Sequence, residues 1–336
     1  PVTTTTTAPA PPPPSRSVLI TFGDSAGAAG FGLLVQGPEG PPQLIIVPQS
    51  LLVQVPGFGE FSAAQALGFG GPGLAELSLS NQLGIRIDDR VDVPPGGLAE
   101  VAAGVVVDVP VELFVSDADG SRRLIAAGTQ RLSADLVELL LVEQGEGDVF
   151  EWLLRQEAVW SGLLEAAAAD PAVGVALVAG AGDPGAASDI LAAIVSGGSV
   201  ESLPLDRVSI GAGESAFVLA TERYAAYRTE ELGHLVIGEE VRPRVEILNG
   251  NGVAGSGIPL AEILVAEGFY VFRSGNADRF DHEVSLVIAQ GEDAVAAAQR
   301  AAEALGIGQV LLEGTAPSGV VDVSIIVATD LAPKEG

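Results

Sequence analysis

Arg244-Val245-Glu246-Ile247-Leu248 runs straight into Asn249-Gly250-Asn251-Gly252-Val253-Ala254-Gly255-Ser256-Gly257, and this stretch decides the reading of the last third of the chain. Gly250, Gly252 and Gly255 spell G-x-G-x-x-G between a predicted strand and a predicted helix, the setting a dinucleotide phosphate site requires. Such a site also needs an acid roughly 20 residues further on, at the end of the second strand. Here that strand ends at Phe272-Arg273-Ser274-Gly275, and the nearest acid, Asp278, lies beyond it. Only two helices follow, too few for two mononucleotide-binding halves. The other reading is a Gly-rich turn that lets a helix pack close to its strand. Strand 245–248, helix 258–267, strands 269–273 and 284–288, helix 292–305 and strands 309–312 and 321–328 then form a β-α-β-β-α-β unit, and no bound cofactor is expected of it.

Upstream, the composition narrows the class. The 336 residues are 48% hydrophobic, which suits two or three domains with real cores. Lys+Arg number 16 against 44 Asp+Glu, a formal net charge of -28, so nucleic acid is not an expected partner: phosphate neutralisation needs clustered cations. With no cysteine, disulfides, iron–sulfur clusters and cysteine nucleophiles are excluded. Residue 1 is proline and the chain contains no methionine. Residues 1–16, a Thr run followed by Ala and Pro, read as an extended spacer of the kind that separates a membrane anchor from a domain. The expectation is an exported protein tethered through an anchor upstream of residue 1.

Residues 17–168 read as a first, mixed α/β domain. Short apolar runs at 18–22 and 44–47 suggest buried strands, 101–110 and 113–115 continue the pattern, and helical spacing begins after Ser133. Leu136, Leu139 and Leu140 belong to one helix; Trp152 and Trp160 belong to a second, with Asp148 near its N-terminus. Residues 169–240 read as an extension or connecting region, with a helix near 186–194, a strand at 216–219 and a polar helix at 221–232. The last domain covers 241–331.

Several motifs invite chemistry. Gly23-Asp24-Ser25-Ala26-Gly27 matches G-x-S-x-G after a strand and resembles the first block of GDS-type ester hydrolases. A serine hydrolase needs a histidine base, and His234 and His282 are the two histidines, with Glu231 three residues before the first. The oxyanion-hole block of that family has no counterpart between them. Two histidines and no cysteine do not make a zinc site, and Asp88, Asp89 and Asp92 read as a solvated acidic surface. Asp117, Asp119 and Gly120 begin like a calcium loop, but no closing Glu follows and Arg122-Arg123 stand where anions belong, so a turn is expected.

Read as one string, residues 18–165 resemble the LytR-CpsA-Psr family of cell-envelope phosphotransferases. The motifs occur in the family's order: Leu19-Ile20-Thr21-Phe22-Gly23-Asp24-Ser25; Ile46-Val47-Pro48-Gln49-Ser50-Leu51-Leu52-Val53 with Val55-Pro56-Gly57; Ala63-Ala64 then Gly70-Gly71-Pro72; Leu83-Gly84-Ile85-Arg86-Ile87-Asp88; Val107-Asp108-Val109-Pro110; and Arg155-Gln156. The last domain is similar to the C-terminal domain that often follows, opening at Val245-Glu246-Ile247-Leu248-Asn249-Gly250 and closing at Val321-Asp322-Val323-Ser324-Ile325. The resemblance implies an α/β/α domain with a central mixed sheet, followed by the small α/β domain. It implies transfer of a wall glycopolymer from a polyprenyl pyrophosphate carrier to peptidoglycan, with arginines on the pyrophosphate, aspartates with Mg²⁺, and an apolar lipid pocket.

This chain departs from the family where the charge should be. Gln49 stands for the arginine of the P-R-D motif, Ser50 for its aspartate, and Trp152 for the arginine three before Arg155. No Lys or Arg occurs between residues 17 and 85. Losing one positioned donor costs about 3 kcal/mol of transition-state stabilisation, and at least three charged donors are missing by this comparison. The expectation is a degenerate, non-catalytic family member that binds or scaffolds wall glycan, polyprenyl-linked glycan or envelope proteins at the outer face of the membrane. Asp24 and Arg155 are the residual catalytic candidates, Asp24 the one metal candidate, and Gln49, Trp152 and Gln156 the binding candidates; Mg²⁺ is a cofactor only if the protein is an active phosphotransferase. Arg86, Arg122, Arg123 and Arg131 are the cations that such an enzyme would have to redeploy.

Overall fold

The computed structural model describes residues 15–23, 29–99, 104–117, 120–211, 214–308, 310–312 and 319–331. Asp24 and Ser25 lie outside them, as does Asp119.

The chain runs β1 (Arg16–Gly23), β2 (Ala29–Gln36), β3 (Gln43–Val47), β4 (Leu52–Val55), β5 (Gly59–Ser62), α1 (Ala63–Leu83), β6 (Asp89–Val93), β7 (Val105–Val109), β8 (Leu113–Asp117), β9 (Gly120–Ile125) and β10 (Gly128–Leu132). It continues through α2 (Ala134–Val142), α3 (Val149–Ala169), α4 (Pro171–Val178), α5 (Pro184–Gly197), β11 (Ser199–Ser202), β12 (Leu205–Gly211), β13 (Glu214–Leu219) and α6 (Thr221–Glu230). The last third is β14 (Arg244–Asn249), α7 (Ile258–Ala266), β15 (Tyr270–Asn276), β16 (Leu286–Ala289), α8 (Val295–Leu305), β17 (Val310–Leu312) and β18 (Val323–Val327).

The first sheet has the order β11-β3-β2-β1-β6, with β1 antiparallel to β2 and parallel to β6. Successive side chains on a strand face opposite ways. Val18, Ile20 and Phe22 therefore join one core with α2, α3, α4 and α5, while Leu19 joins another with Phe31, Leu33 and α1. Burial on both faces explains why residues 18–22 and 44–47 read as unbroken apolar runs. The strand β11 completes an edge of this sheet by pairing in parallel with β3, so part of 169–240 is built into the first sheet.

Among the elements that the sequence reading does not name, two are disguised by glycines. β2 carries Gly30 and Gly32, and there is no room for side chains there: a Cβ on Gly30 would meet the Leu141 carbonyl, and one on Gly32 would lie 2.5 Å from the Trp160 ring. α1 contains Gly70 and Gly71 in non-helical conformations followed by Pro72, so it is two helical segments about a kink. Ser62 and Gln65 form a reciprocal capping box at its start.

The second sheet has the order β15-β14-β18-β16-β17, parallel except for the β16–β18 pair. Its five strands fall at the five stretches expected from the sequence, 245–248, 269–273, 284–288, 309–312 and 321–328. Its glycines do what the turn reading requires. Gly252 and Gly255 have φ +75 and +76, and a Cβ on Gly257 would lie 2.8 Å from Ile247, the close approach of helix to strand.

The two sheets are joined through α1. Asn81, fully buried, accepts from the Val271 N–H and donates to the Val271 C=O, both at 2.9 Å, pairing with edge strand β15 as another strand would. Arg242 donates to the Asn81 carbonyl at 2.6 Å and lies 5.0 Å from the Tyr270 ring centre. Leu77 packs against the cores on both sides.

Candidate functional site

Ligands of open α/β sheets bind outside the carboxyl ends of the strands. Here parallel β1 and β6 end together at Phe22-Gly23 and Val93, beside α2. A cavity of about 220 Å³ opens there, lined by Phe22, Val93, Pro94, Leu139 and Val142 with Asp135 and Glu138 at its edge. That lies below the ~300 Å³ at which small-molecule pockets usually begin. Glu138 is already committed, accepting from the Gly96 and Leu98 N–H groups at 2.6 Å each.

The family-matching residues lie deeper. Trp152 and Trp160 are 1% and 0% exposed, and Trp160 meets Phe22 edge-on at 5.6 Å. Leu140 is buried beside them, while Leu136 and Leu139 are partly buried. This region is filled core.

Arg155, 1% exposed, donates to the carbonyls of Gln144 at 2.7 Å and Glu112 at 3.5 Å, and its Nε has no partner. Burial holds its pKa below the ordinary guanidinium value, opposed by Glu151. It ties the α2–α3 connection to the segment before β8. Gln156, equally buried, donates to the Leu140 and Leu141 carbonyls, and Gln49 accepts from the Ala29 N–H at 3.4 Å. Arg155, Gln156 and Gln49 thus each bond to backbone from a buried position.

A second, larger cavity of about 930 Å³ lies at the start of α3, between Gln144, Gly147 and Asp148 on one side and Arg207, Ser209 and Glu214 of the β12–β13 hairpin on the other. Asp148 caps α3 through the Phe150 N–H and also pairs with Arg207. Asp148 is readable from local sequence as a helix start, but no local signal points to Arg207, which arrives from a strand 59 residues away.

The redeployable cations do not gather. Arg86 pairs with Asp88 and Arg123 with Glu112, Arg131 donates to the Gly104 carbonyl, and Arg122 is likewise engaged. Among the described residues no three His, Asp or Glu side chains form a set suited to a metal ion. The acids read as a solvated surface are in fact organised. Asp88 accepts from the Ser17 N–H, and Asp89 from the Gly182, Asp183 and Arg90 N–H groups. Burial is the largest single influence on the Asp89 carboxyl and raises its pKa, but the three N–H bonds together outweigh it and hold the pKa below 3.8. Asp117 pairs with Gly120 where β8 and β9 run antiparallel, and Asp119 lies outside the described residues.

The hydrolase constellation is not assembled by the described residues. Glu231 accepts from Gln43, whereas His234 Nε2 has no partner. His234 packs against Gly37, just past Gln36, which pairs with Arg16; Gly23 pairs with Ala29 at the other end of the same ladder. Seven steps of ~3.3 Å separate those ends by about 23 Å. His282, in the last third, bonds to Asp278.

The first half is thus a two-faced α/β/α domain with a tightly packed interior, and the last third is a separate small sheet docked on α1. Residues 242–331 match the family described as LytR cell envelope-related transcriptional attenuator. A segment of 75 residues, 22% of this chain, is 37% identical to the probable cell wall biosynthesis protein LcpB of Corynebacterium glutamicum, of which it spans 18%. Among solved structures, TagV of B. subtilis shares the fold at TM-score 0.51 and 17% identity, over 66% of this chain and 97% of that one. A protein of Streptococcus agalactiae matches at TM-score 0.51 and 13% identity, over 66% and 88%. The last third matches the LytR C-terminal family, and the part before it shares its fold with these solved structures.

Proposed function

We propose that this protein serves wall-glycopolymer attachment at the outer face of the cell membrane by binding or scaffolding, without transferring the glycopolymer itself. The reading rests on the LytR C-terminal match together with one observation: all fifteen arginines, the sixteen Lys+Arg less Lys334, are engaged with other groups of the protein. Ten pair with carboxylates, as Arg90 does with Glu76 and Asp92; Arg131, Arg155, Arg228 and Arg242 hold backbone carbonyls, and Arg122 is engaged as well. A pyrophosphate leaving group carries charge that guanidinium forks or a metal must meet. Binding here would require breaking bonds within the fold. The partners proposed are wall glycan, its polyprenyl-linked precursor, or another envelope protein.

The test is incubation of purified protein, with Mg²⁺, with a polyprenyl pyrophosphate-linked oligosaccharide, followed by chromatography of the lipid products. The expected result is intact substrate. Cleavage that Asp24→Ala abolishes would establish an active phosphotransferase instead.

A further inference from the structure

At the carboxyl ends of β14 and β15, where the second sheet meets the β4–β5 hairpin, a cavity of about 430 Å³ lies between the two halves of the chain. Its size falls within the range of small-molecule sites. Phe58 and Phe280, 42% and 52% exposed, form its apolar wall; Ser274, Asn276 and Ser256 contribute polar groups. None of its thirteen lining residues carries a charge, in a chain with 44 acids.

We infer that this groove binds a short neutral saccharide. Phe69 stacks on one face of the Phe58 ring at 4.6 Å and 7°, and Phe61 meets Phe69 edge-on at 4.8 Å, so the exposed remainder of the Phe58 ring is held flat beside the cavity. A half-exposed, braced aromatic ring offers a sugar's C–H face a large apolar contact at little entropic cost. The polar groups suit hydroxyls. Ser274 Oγ accepts from the Gly57 N–H at 2.9 Å, which clamps the two walls together and leaves its O–H free to donate, and the Asn276 side chain is exposed. Ser256, 2% exposed, borders the cavity with a hydroxyl that has no hydrogen-bond partner.

The same loop argues against an anion. Asn249 Oδ1 accepts from the Asn251 and Gly252 N–H groups, and Asn251 Oδ1 from the Val253 N–H. These three amides, which a phosphate would need, are occupied by side chains. The net charge of -28 adds repulsion. The inference stands on the groove alone and holds whether or not the first domain transfers glycopolymer.

The test is calorimetric titration of the whole chain with chitotetraose and mannotetraose as neutral probes and trigalacturonate as the anionic control. Saturable binding of at least one neutral probe and none of trigalacturonate is expected, weakened on the order of tenfold in both Phe58→Ala and Phe280→Ala. Phe150→Ala, an exposed ring packed on Phe217 away from the groove, retains binding. Thermal unfolding of each variant confirms that it is folded; Phe280→Ala decides if Phe58→Ala is not. Absence of binding to both neutral probes, preferential binding of trigalacturonate, or neutral binding unchanged by these variants overturns the assignment.

Discussion

Replacing Asn81 with alanine removes the one side chain that completes the hydrogen bonding of Val271 on the outer edge of the second sheet. Val271 is 1% exposed, and both its N–H and its C=O bond to the Asn81 amide at 2.9 Å. Each buried backbone group left unpaired costs about 1–3 kcal/mol, so the pair is worth ~2–6 kcal/mol, and ~3 kcal/mol after partial relaxation is the working figure. With an m-value of ~3 kcal/mol per molar urea, the midpoint falls by about 1 M. The loss acts at the seam between the halves. Arg242 still reaches the Asn81 carbonyl, but the edge of β15 no longer has its partner. Urea unfolding followed by circular dichroism, with hydrogen exchange at the Val271 amide, measures both effects. A midpoint unchanged to within ~0.2 M together with unaltered Val271 protection would refute the claim that this side chain acts as the missing strand.

Gly32→Ala forces a Cβ to within 2.5 Å of the Trp160 ring, and overpacking of this kind costs ~1–3 kcal/mol, a fall in Tm of several degrees. Adding Trp160→Leu should recover part of that loss relative to Trp160→Leu alone; calorimetry showing no coupling between the two sites would count against the packing argument. For Asp89, the folded carboxyl titrates below its ordinary value of 3.8, so its contribution is fully present above that pH and is lost as the pH falls through the folded value. Asp89→Asn is therefore expected to be less stable than the parent at pH 6, with the gap closing below pH 3.8. A gap independent of pH in urea titrations would contradict this.

The second sheet was legible because its strands and helices sit in one continuous stretch, with glycines where the backbone needs them. Gly252 and Gly255 announced the turn, and their positive φ bears that out. The first sheet was legible in part. Residues 18–22 and 44–47 are apolar throughout because both faces are covered, but β2 hid behind Gly30 and Gly32, whose meaning depends on Leu141 and Trp160 more than a hundred residues away. Asp148 was recognised as a helix start, whereas its pairing with Arg207 was not, because the hairpin that brings Arg207 belongs to a region whose own signals were weak.

The α/β class, the LytR-type ending and the scarcity of cations are readable without coordinates, since they depend on local periodicity, contiguous motifs and counts. What the remaining polar residues do follows from contacts between distant parts of the chain. Arg155 and Gln156 hold backbone carbonyls, Asn81 replaces a strand, and the glycine loop, whose motif admits a phosphate cradle or a turn, closes its amides on its own asparagines while lining an uncharged groove. Those outcomes depend on which distant groups meet in a buried place, where an unpaired hydrogen bond costs more than local sequence preferences can offset.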